Sequence, residues 1–289
     1  MVADPAEVFR EHQPLLFGIA YRMLGSRQDA EDAVQDAFLR WQQRPAGEVA
    51  SPRAYLCTTV TRLCIDQYRA AQVRRAEYIG PWLPEPIVTE SVEDEVARAD
   101  SITMAFLVVL ERLGPLERAA FLLREVFEYG YDEIASIIGR SEAASRQLVH
   151  RARQRVAADR PRFHASRAEA DALTLRFLAA AREGDMAGLE ATLAEDVTLW
   201  SDGGGQVLAA RLPVRGAAKV ALFVANIVQG APPGFEARLA TVNGGPGVVA
   251  TIDGRAMTVG AFEIDGGRIV AIRMVVNPDK LQHVGRAMP

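Results

Sequence analysis

The sequence predicts a multidomain fold, with two all-α parts followed by an α+β domain. Three observations support this class. With 289 residues, the chain is longer than one hydrophobic core usually serves. Apolar residues recur at helical spacing through 5–76 and again through 101–160. Within 168–283, helical patterns give way to short strand patterns separated by glycine-containing turns. The stretch 77–100, which is rich in proline and acidic residues, joins the two all-α parts as a linker.

Composition and charge narrow the function classes. The chain is 49% hydrophobic and has a net charge of −4, as expected of a folded protein that does not bind nucleic acid through its overall charge. No signal-like segment is visible at the N-terminus, and the longest apolar run, Met104–Leu110, is far short of a membrane span. We therefore expect a cytoplasmic protein that does not contact membranes.

The two cysteines, Cys57 and Cys64, lie seven residues apart in one predicted helix. Seven residues rise roughly 10 Å along a helix, which is farther than a disulfide allows. We expect both thiols to be buried as small hydrophobic side chains. No metal site and no cofactor is expected.

Residues 5–76 predict three helices. The first ends at Gly25, and Ser26 is placed to cap a second helix whose acidic side chains lie off its apolar stripe. Ser51-Pro52 combines an N-cap residue with proline at the first helical position, and therefore marks the start of the third helix.

The strongest local pattern is YDEIASIIGRSEAASRQLVHRARQRV at 131–156. Gly139 suits a left-handed helix cap, and Ser141 can begin a second helix, so the pattern predicts a helix-turn-helix. The second helix would enter the major groove, where arginine pairs with guanine and glutamine with adenine. The residues expected at base edges are Ala144, Arg146, Gln147, His150 and Arg151, and those expected at phosphates are Arg153, Arg155 and Arg160. The alternative is a helical hairpin with a solvated basic face.

Two longer stretches give the helix-turn-helix a context. The segments QDAEDAVQDAFLRWQQ (28–43) and PRAYLCTTVTRLCIDQYRA (52–70) resemble region 2 of bacterial sigma factors of the extracytoplasmic-function (ECF) group, and residues 107–156 resemble region 4. The two regions cover about half the chain, in the order that the family has. The resemblance implies a region 2 helical bundle, a region 4 helix-turn-helix, and an alternative sigma factor that binds core RNA polymerase and promoter DNA and initiates transcription without catalysis of its own.

The resemblance also implies roles for individual residues. The helix-turn-helix would read the −35 element. The acidic second helix would dock on core polymerase through Asp29, Glu31, Asp32, Gln35 and Asp36, although such a face is by itself also typical of a solvated surface. The third helix would recognise the −10 element through Thr58, Thr61, Arg62, Asp66 and Arg69. Near that face only Tyr55 and Tyr68 could stack on an opened strand, and either could instead belong to the core.

The segment FLAAAREGDMAGLEATLAEDVTLWSDGGG (177–205), followed by strand patterns, resembles the SnoaL-like cone domain of the NTF2 superfamily. This fold hosts both enzymes and plain binding modules. Catalysis would need acid and base groups, and the candidates are Asp202, Asp253, Asp265, Asp279 and His283. Asp253 and Asp265 precede glycines in predicted turns, which accounts for them. We therefore expect no catalytic residue in this domain.

Three short pieces are similar to motifs of those ECF sigma factors that carry a SnoaL-like tail. In that subfamily the tail acts in cis as a modulator, so no separate anti-sigma factor is expected. Where this chain has Gln206, the subfamily usually has lysine. The residues that the resemblance marks as regulatory are Trp82, Leu83, Pro84, Glu85 and Pro86, then Asp202, Gly203, Gly204, Gly205 and Gln206, and finally Asn277, Pro278, Asp279 and Lys280.

The linker stretch GPWLPEPI (80–87) has to run extended because its prolines remove backbone donors. We expect Trp82 to anchor it on the C-terminal domain, near Asp202 or Asn277-Pro278, and the alternative is packing against its own neighbouring helices. A second function also stays open at this point: a one-component helix-turn-helix regulator with a ligand-sensing or enzymatic NTF2-like domain. Such a regulator would not need region 2.

Overall fold

The computed structural model describes residues 4–44, 49–89, 103–157 and 166–284. It divides into two compact units, one drawn from 1–77 and 107–160 and the other from 78–106 and 161–289. The two parts predicted as separate helical domains thus belong to one unit. The linker belongs to the C-terminal unit as far as it is described, and its acidic run, 90–95, lies outside the described residues.

The first unit is helical, as predicted. Its helices are α1 (Pro5–Leu24), α2 (Arg27–Gln42), α3 (Pro52–Ala76), α4 (Met104–Leu110, within which the boundary between the units falls), α5 (Pro115–Glu125), α6 (Tyr131–Ile138) and α7 (Glu142–Ala157).

The helix boundaries of the first unit follow from capping. Gly25 adopts the left-handed conformation with φ 70° and its N–H donates to the Tyr21 carbonyl, which ends α1. The Ser26 hydroxyl accepts the N–H of Asp29 at the start of α2. Ser51 caps α3 ahead of its proline in the same way. These three boundaries confirm the sequence predictions.

The interior of the first unit also buries both thiols. Cys57 and Cys64 are free and buried, as expected, and burial raises the pKa of each. Tyr68 is fully buried as well, so of the two tyrosines left open by the sequence it belongs to the core.

A buried network of charges joins the two halves of the first unit. Arg118 on α5 is fully buried, forms an ion pair with Glu111, and donates from Nε to the Arg22 carbonyl at 2.9 Å. Glu111 also pairs with Arg75 of α3, which in turn donates to the Leu24 carbonyl at 2.7 Å. Helices α1 and α3 are therefore tied to the start of the second helical region by charge-assisted hydrogen bonds.

The second unit contains one mixed sheet with helices. In chain order its elements are β1 (Val88–Thr89), α8 (Arg167–Glu183), α9 (Met186–Thr192), β2 (Leu193–Asp202), β3 (Val214–Arg215), α10 (Ala217–Gln229), β4 (Phe235–Val242), β5 (Gly245–Ile252), β6 (Arg255–Asp265), β7 (Arg268–Val275) and α11 (Pro278–Leu281).

The described sheet has seven strands in the order β1-β4-β5-β6-β7-β2-β3, and every pair is antiparallel except β2 with β7. The meander from β4 to β7 agrees with the sequence prediction, including the Asp253-Gly254 turn, in which both residues have positive φ. The short strands β1 and β3 were not predicted, since two residues carry no periodicity. Strand β2 begins at Leu193, directly after α9 ends at Thr192.

Helices α8, α9 and α10 cover one face of this sheet. Phe177 of α8 meets Phe262 of β6 edge to face, with ring centroids 5.2 Å apart. Leu199, Val220 and Ile272 complete the same core and are essentially inaccessible to solvent. Over the described ranges of the chain, no helix is long and apolar enough to cross a membrane.

Candidate nucleic-acid interface and the Asp202 centre

The acidic face of α2 is partly exposed. Asp32, Gln35 and Asp36 are exposed side by side, at the spacing that places residues on one helix face. Glu31 pairs with Arg27 of the same helix at 2.7 Å, and Asp29 is half-buried at the capped N-terminus. Of the five residues predicted to bind polymerase, three therefore form an open surface.

The face of α3 predicted to meet the −10 element is less uniform than the sequence suggested. Thr61 is fully buried, so its expected place on the polar face is wrong: it lies on the turn of α3 that faces the core, beside the buried Val60 and Cys64. Thr58 is half-buried and donates to the Ala54 carbonyl. Asp66 and Arg69 are exposed and form an ion pair at 3.1 Å.

A basic pocket of about 680 Å³ opens between the end of α2 and the start of α3. Its charged lining residues are Arg40, Arg44 and Arg62, with no carboxylate among the lining side chains. Tyr55 is half-buried in it, and the Arg44 guanidinium lies 5.2 Å from the Tyr55 ring centroid. Arg40 and Arg44 were not among the residues expected from the sequence. The sequence feature that could have identified them is a pair of arginines on either side of Trp41, at the end of an amphipathic helix.

Arg62 has a second set of partners inside the first unit. Its guanidinium donates to the carbonyls of Ile137 and Ser136, each at 2.9 Å. These carbonyls lie in the last turn of α6, where helix carbonyls lack intrahelical partners and favour a cation. A residue predicted to meet the −10 element is thus bound to the helix-turn-helix.

Helices α6 and α7 form the predicted helix-turn-helix. Gly139 ends α6 in the left-handed conformation with φ 66°, and the Ser141 hydroxyl accepts the N–H of Ala144 at the start of α7. Ser145 is buried where α7 meets α6, and its hydroxyl is satisfied by the Ser141 carbonyl at 3.0 Å. The expected base-reading residues Arg146, Gln147, His150 and Arg151 are exposed on α7, and Ala144 is half-buried.

The other arginines of α7 are paired with carboxylates of α5. Arg153 forms an ion pair with Glu125 at 2.7 Å, and Arg155 pairs with Glu117, which Arg151 also approaches at 3.4 Å. All three arginines are more than half exposed, and Glu125 is exposed as well, so the pair of Arg153 with Glu125 is of the surface kind and contributes little to stability. Glu117, in contrast, is buried. Arg160 lies outside the described residues.

In the second unit, the carboxylate of Asp202 is the centre to which three distant segments converge. It is fully buried at the end of β2. It accepts hydrogen bonds from the Tyr78 hydroxyl at 2.5 Å, the Leu83 backbone N–H at 2.8 Å and Lys280 Nζ at 2.7 Å. The Gly204 N–H adds a fourth donor at 3.1 Å. A buried carboxylate with a cation and three further donors is fully compensated.

The linker is held from both sides at this centre. Lys280 Nζ lies 4.3 Å from the Trp82 ring centroid, a cation–π geometry, so Trp82 docks at the place expected from the sequence. Asn277 donates to the Tyr78 hydroxyl at 2.9 Å. Burial, and then the hydrogen bond to Asp202, raise the pKa of Tyr78, which keeps its hydroxyl protonated as a donor. Tyr78 was missed because it precedes the proline-rich stretch.

The glycines after Asp202 allow the Asn277 side chain to lie close to the backbone of this turn. Gly204 has φ 62°, and a Cβ there would collide with the Asn277 side chain. Gln206 donates to Asp279 at 2.5 Å. This chain therefore joins the glycine turn to α11 at this position through a hydrogen bond without an ion pair.

Three further residues that were considered as catalytic groups lie in hairpin turns or beside the linker. Asp253 is exposed in its hairpin turn with φ 49°, and Asp265 ends β6 at the next hairpin. His283 approaches the buried Glu85 of the linker at 3.7 Å.

Comparison with known families agrees with the first unit. The model for Sigma-70 region 2 matches residues 8–74, and that for Sigma-70, region 4 matches residues 103–156. Together with the helix-turn-helix, they define a transcription initiation factor of the sigma-70 class.

Full-length relatives specify the group. The chain is 40% identical to the ECF RNA polymerase sigma factor SigJ of Mycobacterium tuberculosis, over 97% of this chain and 93% of that protein. It is 32% identical to the probable ECF RNA polymerase sigma factor SigI of the same species, over 96% and 95%. The crystal structure of M. tuberculosis SigJ matches with a TM-score of 0.73 at 36% identity, over 96% of this chain and 98% of that chain. This chain therefore belongs to the ECF RNA polymerase sigma factors, and in it a domain of helices and one mixed sheet follows region 4.

Proposed function

We propose that this sigma factor reads its promoter with two surfaces of the first unit and that its C-terminal domain modulates their use in cis. One observation supports the proposal that the C-terminal domain acts as a modulator in cis. The linker that joins region 2 to region 4 along the chain is bound, at 78–83, to the buried Asp202 of the C-terminal domain. Whatever changes that binding changes the freedom of the linker, and with it the separations that the two regions can reach.

The exposed face of α7 is the proposed reader of the −35 element. Arg146 and Gln147 lie in the first half of the helix, the part of a recognition helix that reaches base edges. Arg153 and Arg155 lie along the flank, where they would meet phosphates once the carboxylates of α5 release them.

The basic pocket of region 2 is the proposed site for a nucleotide of the opened −10 strand. Three guanidinium groups supply phosphate contacts, and Tyr55 supplies an aromatic face for a base. This assigns the −10 role to Arg40, Arg44, Tyr55 and Arg62, and removes Thr61 from it because that side chain is fully buried.

In the described conformation Arg62 ties α3 to the helix-turn-helix within the first unit. Its Nε and Nη2 donate to two carbonyls of α6, and the remaining N–H donors of the guanidinium are left for a promoter phosphate at the basic pocket. The linker joins the two regions along the chain, so a contact that favours one separation of the regions can bias promoter binding.

Core polymerase is the proposed partner of the open acidic surface on α2. Reversing the charge of Asp32 and Asp36 should abolish capture of core polymerase, because both side chains are exposed and lie on one face. The matched control reverses Glu183 and Glu190, which are exposed on α8 and α9. Unchanged capture by the α2 variant would contradict the assignment.

The cis-modulator proposal is tested by run-off transcription with purified core polymerase. Trp82→Ala, Lys280→Met and a chain ending after Asn277 each remove a part of the linker-binding contacts. Losing one charge-assisted hydrogen bond shifts an equilibrium by roughly tenfold, so all three should change promoter-dependent transcription in the same direction. Lys219→Met, at the chain's other lysine, is the matched control, because Lys219 is exposed on α10. Equal transcription from all forms would rule the modulator out.

We further propose that the protein acts in the cytoplasm, without catalysis and without a separate anti-sigma protein. The rival, a one-component regulator, is separated by asking whether promoter binding needs core polymerase. Tight sequence-specific binding by the chain alone, with no transcription on adding core enzyme, would favour the rival.

A further inference from the structure

One aromatic ring of the first unit lies beside the guanidinium groups of two arginines. Tyr131, the first residue of α6, is half-buried. The Cζ atom of Arg146 on α7 lies 4.2 Å from the centroid of its ring, and the Cζ atom of Arg124 on α5 lies 4.9 Å from it. Guanidinium groups at such distances are attracted to the face of an aromatic ring. The Tyr131 ring therefore connects α5 and α7 at the start of α6.

The position of this ring is fixed by its surroundings. The Glu133 carboxylate accepts the Gly130 N–H at 2.8 Å, which caps α6 just before Tyr131. Arg124 donates to the Tyr129 carbonyl at 2.9 Å, so its guanidinium is held in place beside the ring. Tyr131 therefore offers a fixed surface on which a long, flexible side chain can rest.

Arg146 is the exposed member of this cluster. Its side chain is 58% exposed, and its Nη2 donates to Glu142, four residues earlier on α7, at 2.5 Å. A guanidinium has five N–H donors, so donors remain for a base edge while Glu142 and the ring hold the group. A free arginine has much rotamer freedom, and an arginine that is already held loses less of this freedom when it binds.

We propose that Tyr131 is a positioning residue through which Arg146 recognises guanine in the promoter. This inference rests on the proposed role of α7 as the reader of the −35 element. Arginine recognises guanine through paired hydrogen bonds to O6 and N7, which require the guanidinium to be aligned with the base. The Tyr131 ring and Glu142 together restrict where that guanidinium can lie. Discrimination at one base pair then depends on a side chain that touches no base.

The alternative is a cluster that only packs α6 against α7. Loss of the ring would then loosen the helix-turn-helix and lower the fraction of molecules that can bind, which weakens binding to every sequence by the same factor. A positioning role predicts instead a loss that is confined to one base pair. The two readings therefore differ in base preference and not in overall affinity.

Selection from a DNA library randomised across both promoter elements, with the full chain and core polymerase, tests the inference. The position at which Arg146→Ala loses a preference for guanine identifies the base that Arg146 reads, and discrimination there should fall by roughly tenfold. Tyr131→Leu should lower discrimination at the same position by about two- to fivefold, as expected for an exposed cation–π contact, and leave the other positions unchanged. Tyr131→Phe keeps the aromatic ring and should match the wild type.

A double-variant cycle gives a second readout. If Tyr131 acts through Arg146, Tyr131→Leu should change nothing further at this position in a chain that already carries Arg146→Ala. Discrimination is a ratio measured on one preparation, so any loss of folded protein cancels from it.

The outcomes separate this inference from the proposed function. If Arg146→Ala selects the same sequences as the wild type, Arg146 reads no base, and both the −35 assignment of this residue and the positioning role are overturned. If Arg146→Ala changes the selection but Tyr131→Leu does not, only the positioning role is overturned. The same holds if Tyr131→Leu affects all positions equally, if Tyr131→Phe behaves like Tyr131→Leu, or if the effects of the two substitutions add in the double variant.

Discussion

Among the described residues, each unit contains one fully buried charge that holds together segments far apart in the sequence, yet the two are built differently. In the first unit, Arg118 reaches the backbone carbonyl of Arg22 and the side chain of Glu111 among packed helices. In the second, Asp202 gathers a short linker and the turn of α11 through side chains and backbone N–H groups. The first charge supports a helical core, whereas the second supports a segment that has little core of its own.

Because of this difference, the contacts of the two buried charges can change in different ways. A buried charge inside a helical core cannot lose its partners without disturbing the core. The linker is bound through Asp202, through Asn277 and Lys280, and through the pairing of β1 with β4. It can leave while the domain beneath it stays folded, because β2 and its neighbours are held by their own apolar packing. The Asp202 centre is therefore the better suited of the two to regulation.

Replacing Arg118 should have the largest effect on stability. Arg118→Leu leaves Glu111 half-buried with a single cation and orphans the Arg22 carbonyl, which should destabilise the first unit by about 3–5 kcal/mol. Chemical denaturation followed by circular dichroism measures this, with the first unit expected to unfold first. Arg74→Leu, exposed near the end of α3, is the control and should stay within about 0.5 kcal/mol of wild type. A loss below about 1 kcal/mol for Arg118→Leu would mean that the network is not a determinant of stability.

Replacing Asp202 should have a smaller and more local effect. Asp202→Asn keeps the shape but removes the charge that compensates Lys280, which costs roughly 2–3 kcal/mol of linker binding. Hydrogen exchange should therefore accelerate in 78–89, whereas the strands β5 to β7 keep their protection. Asp253→Asn, in an exposed hairpin turn, is the matched control and should leave exchange in the linker unchanged. Equal loss of protection across the whole sheet would show that Asp202 supports the domain instead of the linker.

The contacts around Arg118 and those around Asp202 also differ in how far their residues could be predicted from the sequence. The motifs around Asp202 are short and contiguous, so Trp82, Asp202 and Asn277 can be recognised as a set from the sequence alone. The residues of the Arg118 network come from single positions on α1, on α3 and in the turn after α4, and nothing in the local pattern distinguishes that arginine from the exposed Arg112. Helices, caps and the meander were predictable because periodicity and turn residues are local signals.

Side-chain exposure at the nucleic-acid face was harder to predict. Thr61 was expected on a polar surface and is fully buried, because a threonine hydroxyl is small enough to be tolerated in a helical core. Arg40 and Arg44 were missed because their pocket forms only when the end of α2 approaches α3. Both cases depend on tertiary contacts, which one helix period does not encode.

The smallest expected effect on stability lies on the flank of α7, and it sharpens the contrast between buried and exposed charges. Arg153 and Glu125 form an exposed pair, so Glu125→Gln should change the free energy of unfolding by less than about 1 kcal/mol. The effect of this substitution on DNA binding should be larger in proportion, because the Arg153 guanidinium, freed from Glu125, can neutralise a phosphate. In the complex with core polymerase, promoter affinity should rise, and the slope of log K against log salt concentration should steepen by about 0.9. Arg153→Gln provides the opposite case, with the same small change in stability and weaker binding. If both variants bind promoter DNA with the wild-type salt slope, Arg153 does not contact DNA. The pair with Glu125 is then a surface ion pair of region 4 with no role in DNA binding.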